Sequence, residues 1–196
     1  IGIRGKRTLS FKIDFDGNAL LKAQEMLKDI PGGMQTATAR AINRALQGAR
    51  AAAVKAIRER YTVRATDIRE TLKIKKATKS DLEGSLTSRG TKLDINASHF
   101  KVRPRTATTG NRQRKVVAEI IKGSPFEVQR GFIYNSQVFR REGRARLPIA
   151  KQVGPAVPQM LEQDDVLQRT TEVITERFRE RLEHETEVLL NNLTGK

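Results

Sequence analysis

The chain has 196 residues, with 38 lysines and arginines against 22 aspartates and glutamates and a formal net charge of +16. It contains no cysteine, which excludes disulfides, thiolate nucleophiles and thiolate metal sites. It also lacks a signal-peptide pattern and any run of roughly eighteen apolar residues. We therefore expect a soluble protein that is made in the cytoplasm and has no membrane partner.

The positive charge is unevenly spread along the chain. Residues 161–196 contain five basic and nine acidic residues, so the positive excess lies in residues 1–160. A cationic body of this kind attracts nucleic acid and acidic protein surfaces, although the charge alone says nothing about the fold.

The first predicted elements are a strand and a short helix. Residues 8–15 alternate between apolar and polar side chains, which predicts a half-buried strand. Asp16-Gly17-Asn18 supplies a turn and a helix cap for a short helix over residues 19–29, which Pro31-Gly32-Gly33 ends.

Residues 34–61 form the longest helical pattern and have two different sides. Alanines recur every four residues, and at about 100° per residue they share one face with larger apolar side chains. That predicted packing face comprises Ile42, Ala45, Leu46, Ala49, Ala53, Ala56 and Ile57. The opposite side carries Arg40, Arg44, Lys55 and Arg58. This basic face is either a solvated helix surface or a contact with an acidic protein neighbour or DNA.

Strands and hairpins are predicted in the middle of the chain. A short helix over residues 67–71 precedes a strand in which Leu72 and Ile74 alternate with lysines. Two further strands, over residues 82–86 and 93–97, flank a predicted hairpin turn at Arg89-Gly90.

Two more hairpins follow. Residues 100–103 and 115–122 are expected to pair, with a long loop between them. A tighter hairpin is predicted around Asn135-Ser136, which separates two apolar runs.

The loop at residues 101–115 is a candidate interaction element. It contains six basic residues and no acidic one, and its Thr, Gly and Asn content predicts mobility. Six positive charges without a counter-charge repel one another unless a polyanion or an acidic partner is close. Because the loop has no aromatic residue for base stacking, contacts to nucleic acid would go to phosphates. The basic residues are Lys101, Arg103, Arg105, Arg112, Arg114 and Lys115.

The remaining sequence predicts a connector and a final helix. Prolines exclude regular helix or central strand over residues 141–160, so an extended, turn-rich surface connector is expected. Gly154, Pro155 and Pro158 either shape a turn or form an inter-subunit contact. Residues 164–193 predict one long amphipathic helix. Its expected apolar stripe comprises Leu167, Thr171, Ile174, Phe178, Leu182 and Leu189.

These elements predict an α+β fold, in which an antiparallel sheet packs against the long Ala-rich helix. We expect residues 1–160 to form a basic α+β body. Residues 161–196 are expected to be a C-terminal helix that belongs either to the same domain or to an oligomerisation extension.

No catalytic, metal or cofactor site is predicted, and the chain is not expected to be an enzyme. Its two histidines, His99 and His184, are far apart in sequence, and no nucleophile motif accompanies them. Asp14, Asp16 and Asn18 resemble the start of a calcium loop, but alanine stands where that loop needs glycine. Phosphate-binding glycine patterns are also missing.

Three sequence blocks together resemble the minor tail protein Z family of tailed phages and prophages. They are AINRA at residues 41–45, YTV followed by IRETLKIKKAT within residues 61–78, and FRREGRARLPIAKQVGPAVPQM at residues 139–160. The last block is the most specific, because a basic aromatic hairpin followed by Leu-Pro-Ile and Gly-Pro-x-Val-Pro is an uncommon run. The loop at residues 101–115 matches no motif of the family.

The resemblance implies a structural virion protein without catalytic residues. It implies tail completion at the head-proximal end of a long non-contractile tail, with assembly beginning in the host cytoplasm. The implied partners are the tail terminator, tail tube and tape-measure protein, and also the head-tail connector.

The charge distribution adds a hypothesis about assembly and leaves a second function open. An acidic C-terminal helix and a basic body on one chain favour a head-to-tail contact that closes into a homo-oligomeric ring. The alternative is a nonspecific nucleic-acid-binding module that places the same arginines on phosphates.

Overall fold

A computed structural model describes residues 7–12, 17–104 and 115–194, and within them the fold is α+β. The helices are α1 (Gly17–Met26), α2 (Gly33–Arg60), α3 (Ala65–Thr71), α4 (Val157–Leu161) and α5 (Asp164–Thr194). The strands are β1 (Arg7–Lys12), β2 (Leu72–Lys75), β3 (Ser85–Gly90), β4 (Lys101–Arg103), β5 (Val117–Glu119), β6 (Pro125–Glu127), β7 (Gly131–Tyr134), β8 (Gln137–Arg141) and β9 (Ile149–Lys151).

The chain forms two compact units. The first comprises Ile1–Arg7, Val54–Thr71 and Arg89–Leu161, and the second comprises Thr8–Ala53, Leu72–Ser88 and Glu162–Lys196. Parts of several predictions lie outside the described residues. They are the later half of the first strand (Ile13 and Phe15), the proposed helix cap at Asp16, the calcium-loop candidate Asp14, and the loop residues Arg105, Arg112 and Arg114.

The second unit is built on the N-terminal part of α2, and the predicted packing face is confirmed. Ala37, Ala41, Ala45, Ala49 and Ala53 have no exposed surface. Small side chains in such a row let neighbouring elements approach the helix backbone closely. The other residues of the predicted packing face are buried as well: Ile42, Leu46, Ala56 and Ile57.

Helix α5 packs antiparallel to α2. Arg40 of α2 lies 3.2 Å from Glu185, whereas Gly48, two turns later, faces the side chain of Arg177. The order of the contacts is therefore opposite on the two helices. Gly48 allows this approach, because a Cβ atom there would lie 2.3 Å from Cδ of Arg177.

The buried stripe of α5 differs from the prediction at three places. Thr171 is exposed, and Leu167 and Leu189 are only half-buried. Thr170 is buried, and its hydroxyl donates to the Val166 carbonyl at 2.7 Å. Satisfying the hydroxyl within the helix removes most of the cost of burying a threonine. The observed stripe is Val166, Thr170, Ile174, Phe178, Leu182 and Thr186.

A three-stranded sheet of order β1-β3-β2 completes the second unit. Strands β2 and β3 pair antiparallel from Leu72 opposite Ser88 to Lys75 opposite Ser85. Gly84, just before β3, faces the side chains of Ile42 and Leu46. This contact brings the end of the sheet onto α2, as the predicted helix-on-sheet packing requires.

The prediction of a hairpin turn at Arg89-Gly90 is wrong. Strand β3 runs through Gly90, and residues 93–97 form only an isolated bridge, Asp94 with Val153. The Ile95 N–H donates to the Gln152 carbonyl at 3.1 Å. Residues 93–97 therefore pair with a segment far along the chain. They do not pair with β3, because both sides of β3 are occupied by β1 and β2.

The first unit contains the two hairpins, and both predictions are confirmed. Strands β4 and β5 pair antiparallel, as do β7 and β8. Asn135 and Ser136 have φ angles of 45° and 59°, the left-handed conformation that a two-residue hairpin turn needs.

The connector prediction is wrong from residue 149 onward. Ile149–Lys151 forms the edge strand β9 beside β8, and Val157–Leu161 forms α4. Pro158 lies in the first turn of α4, where a missing N–H leaves no helical hydrogen bond unmade. The apolar residues that follow Pro155 are buried, which holds this segment inside the unit: Ala156, Val157, Met160 and Leu161.

The two short helices are close to their predictions. Helix α1 begins two residues earlier and ends three residues earlier than expected, and α3 begins two residues earlier. Among the described helices, none is both long and apolar enough to cross a membrane.

Candidate interaction surfaces

The predicted basic face of α2 is exposed, but one member is already ion-paired. Arg40, Arg44, Lys55 and Arg58 are all exposed. Arg40 Nη1 lies 3.2 Å from Glu185 Oε2, a carboxylate that is far away in sequence and therefore invisible to a local pattern. Within the described part of the chain, Arg44, Lys55 and Arg58 have no ion-pair partner. These three cations are available to a partner.

The base of the 101–115 loop carries counter-charges that the sequence did not reveal. Lys101 forms an ion pair with Glu119, and Lys115 Nζ lies 3.0 Å from Glu127 Oε2. The prediction that the six basic residues have no counter-charge is therefore wrong for Lys101 and Lys115. Strand pairing brings the carboxylates in, because Lys101 lies opposite Glu119 across β4 and β5. An open groove beside these residues is lined by Lys101, Arg103, Pro104, Lys115, Val117, Glu119 and Pro125.

Glu119 is held in its charged form. The Lys101 ammonium, together with the Gly123 N–H that donates to Glu119 Oε1 at 3.0 Å, lowers the pKa of this carboxyl below 4.5. Hydrogen bonds to a carboxylate favour its ionised state.

Acid should therefore weaken the β4–β5 hairpin. A carboxyl with a lowered folded-state pKa stabilises the fold above its unfolded pKa, and that contribution disappears as the pH falls through the folded value. We expect Glu119→Gln to be less stable than wild type above pH 4.5 and to lose less stability on further acidification. Urea unfolding at pH values above and below 4.5 measures how steeply the free energy of unfolding changes with pH in each protein. An equal change with pH in the two proteins would contradict the lowered pKa of Glu119.

The predicted connector residues have packing roles. A Cβ atom on Gly154 would lie 2.8 Å from the Phe100 ring, and the Gly154 N–H donates to the Leu93 carbonyl at 2.8 Å. Pro158 is buried in α4. These contacts favour the turn-shaping interpretation, whereas an inter-subunit contact at half-buried Pro155 stays a prediction.

One of the two histidines contacts a carboxylate and the other is exposed. His99 Nδ1 lies 3.0 Å from Asp67 Oδ2, which ties α3 to the turn at residues 96–99. Arg64 strengthens this link by donating to the Ala97 carbonyl at 3.0 Å. His184 is exposed on α5. No group of three potential metal-binding side chains is found among the described residues.

A comparison with known protein families shows to which family the chain belongs. The sequence profile of the family described as prophage minor tail protein Z (GPZ) matches residues 19–195, nearly the whole chain. The chain belongs to the prophage minor tail protein Z family. Searches of curated proteins and of solved structures gave no match.

Membership of the minor tail protein Z family confirms the resemblance and gives the broad role. The chain is a structural component of a phage tail, its location is the virion, and its neighbours are other tail proteins. A structural family of this kind also indicates a non-enzymatic role.

This minor tail protein also carries an aromatic face that the sequence interpretation missed. The β7-β8-β9 register puts Phe132, Tyr134, Phe139 and Arg141 on one side of the sheet. The Phe132 and Phe139 rings are 6.0 Å apart, and Tyr134 meets Phe139 edge-on at 6.3 Å. The Arg141 guanidinium lies 4.9 Å from the Phe132 ring centre. The alternation of these residues along both strands was the available signal.

A second missed feature is a groove between α1 and α5 in the second unit. Its volume is about 170 Å³. The sequence could not reveal it, because α1 and α5 lie at opposite ends of the chain. Its lining mixes apolar, polar and charged side chains: Ala19, Lys22, Ala23, Met26, Leu182, Glu183, Thr186 and Glu187.

Proposed function

We propose that this chain completes the head-proximal end of a long non-contractile tail. In this role it forms a homo-oligomeric ring that contacts the tail terminator, the tail tube and the tape-measure protein and prepares the tail for the head-tail connector. The family match over residues 19–195 carries the proposal.

The surface charges support work at a joint between proteins. Arg44, Lys55 and Arg58 present positive charge on α2, whereas exposed glutamates dominate α5. Opposite charges on different patches of one chain favour head-to-tail docking, and complementary fields set register more than affinity. An oligomerisation role for residues 161–196 stays a prediction.

Deleting the gene in a phage or inducible prophage tests the proposed role. We expect heads and tails of normal length to accumulate without joining, so that infectious particles fall by orders of magnitude. Wild-type protein supplied from a plasmid should restore joining. Normal numbers of joined, infectious particles without this chain would contradict tail completion, and failure to build any tail tube would place its work earlier in assembly.

Nonspecific nucleic-acid binding is the second candidate function, and the exposed Arg44, Lys55 and Arg58 favour it. Each phosphate contact contributes about −0.9 to the slope of log K against log salt for duplex DNA. If these residues bind DNA, the triple alanine variant should make that slope less steep by about 3. An equal slope in the variant and wild type would exclude this surface as a DNA site.

A further inference from the structure

We propose that the aromatic face of the β7-β8-β9 sheet binds single-stranded nucleic acid by stacking bases on its rings. This face comprises Phe132, Tyr134, Phe139 and Arg141. The inference goes beyond tail completion and does not depend on it. It also concerns a different surface from the exposed basic residues of α2, which are the candidate contacts for duplex DNA.

The aromatic face is open to a ligand. Tyr134 has 59% of its surface exposed, and Phe132 and Phe139 are half-buried. The opposite side of the sheet faces the core, because Val138 on that side is only 1% exposed. The rings therefore lie on the solvent side of the sheet, where a ligand can contact them.

The spacing of the rings fits an extended single strand. The Phe132 and Phe139 ring centres are 6.0 Å apart, and those of Tyr134 and Phe139 are 6.3 Å apart. Successive nucleotides in one strand of a duplex rise by only about 3.4 Å, and pairing and stacking hide their faces. An unpaired strand can spread its bases and lay them on aromatic side chains. The face therefore favours single-stranded over duplex nucleic acid.

Arginines in the β8–β9 loop are placed to contact the phosphates. Arg144 and Arg146 are exposed in this loop, at the end of the aromatic face away from Tyr134. Arg141 links them to the rings, because its guanidinium lies 4.9 Å from the Phe132 ring centre and donates to the Arg146 carbonyl at 3.0 Å. Among the described residues, neither Arg144 nor Arg146 has an ion-pair partner. A strand that runs along the face can therefore place its bases on the rings and its phosphates on these arginines.

The combination of rings and charge favours a nucleic acid over an acidic protein. Residues 130–151 contain six basic residues and one acidic residue, Glu142. The nearby Asp94 carboxylate is already neutralised by Lys151, whose Nζ lies 2.7 Å from Oδ2. Either polyanion would match these charges, but only a nucleic acid carries a flat aromatic base beside every phosphate. A row of aromatic rings that ends in arginines matches that repeat.

Tyrosine fluorescence and the anisotropy of a labelled oligothymidylate test the stacking. The chain has no tryptophan and two tyrosines, and Tyr61 is only 5% exposed, so Tyr134 should dominate any change on binding. We expect oligothymidylate to quench this fluorescence. Tyr134→Ala should weaken its binding roughly 5- to 150-fold, as for the loss of one stacked base, whereas Tyr134→Phe keeps the ring and should keep the affinity. Circular dichroism with thermal unfolding verifies that each variant is folded.

The salt dependence of binding tests the phosphate contacts. Each contact to a single strand contributes about −0.7 to the slope of log K against log salt, so Arg144→Ala with Arg146→Ala should make the slope less steep by about 1.4. Arg140→Ala is the control, because Arg140 lies on the opposite side of β8, and it should leave the slope unchanged. A blunt duplex of the same length should bind wild type and Tyr134→Ala equally well.

Several results would overturn this assignment. They are a wild-type chain that does not bind oligothymidylate, tyrosine fluorescence that oligothymidylate does not quench, and a folded Tyr134→Ala variant with unchanged affinity. An equal loss of duplex and single-strand binding in Tyr134→Ala would also contradict base stacking. If polyglutamate competes as strongly as unlabelled oligothymidylate, the face binds an acidic protein and the assignment to nucleic acid is wrong.

Discussion

Replacing Phe178 with alanine should lower the free energy of unfolding by about 3–5 kcal/mol. Phe178 occupies the middle of the buried stripe of α5, and only 1% of its surface is exposed. Removing its ring forfeits apolar burial and leaves a cavity that the surrounding helices fill only in part. Urea unfolding followed by circular dichroism measures the difference.

Glu180→Ala is the matched control for this change. Glu180 lies two residues further along the same helix and is exposed, so its replacement should alter stability by less than about 0.5 kcal/mol. If Phe178→Ala costs less than about 1 kcal/mol, the side chain does not occupy a packed core and the assigned face of α5 is wrong.

Gly84→Ala should cost about 1–3 kcal/mol by overpacking. A Cβ atom at this position would lie 2.4 Å from Ile42 Cγ2 and 2.8 Å from Leu46 Cδ1. Both of these side chains are fully buried on α2, so neither can swing into solvent. The added methyl group must therefore push the strand end and the helix apart.

Two controls isolate the steric cause at Gly84. Gly17→Ala adds the same methyl group where nothing lies within 4 Å, and it should be close to neutral. In an Ile42→Ala background, the cost of Gly84→Ala should shrink, because the closer of the two clashing atoms, Ile42 Cγ2, is gone and the two effects become non-additive. Equal costs in both backgrounds would show that Gly84 does not pack on Ile42.

The local part of the fold was predictable because short-range patterns determine it. The four-residue alanine row of α2 and the Asn135-Ser136 turn depend on neighbours in sequence, so both predictions are confirmed. The stripe of α5 was misplaced by one residue because threonine has no fixed preference for burial. Its hydroxyl can be satisfied within the helix, as at Thr170, or left in water.

The non-local part was not predictable from one sequence. Residues 93–97 looked like the partner of the preceding strand, yet they pair with the segment around Gln152. The counter-charges of Arg40 and Lys101 lie on Glu185 and Glu119, and no local rule brings those pairs together. The α1/α5 groove has the same origin, since its two walls come from opposite ends of the chain. The sequence alone was enough to identify the candidate basic residues. Their acidic ion-pair partners could be identified only from the folded structure.

High-resolution electron microscopy of intact particles tests the proposed position most directly. In particles assembled with this chain, we predict density that fits the two units, repeated as a ring at the head-proximal end of the tail. The same density should be missing from tails made without the gene. Density for this chain at the distal tip, or its absence from purified virions, would contradict the proposed role.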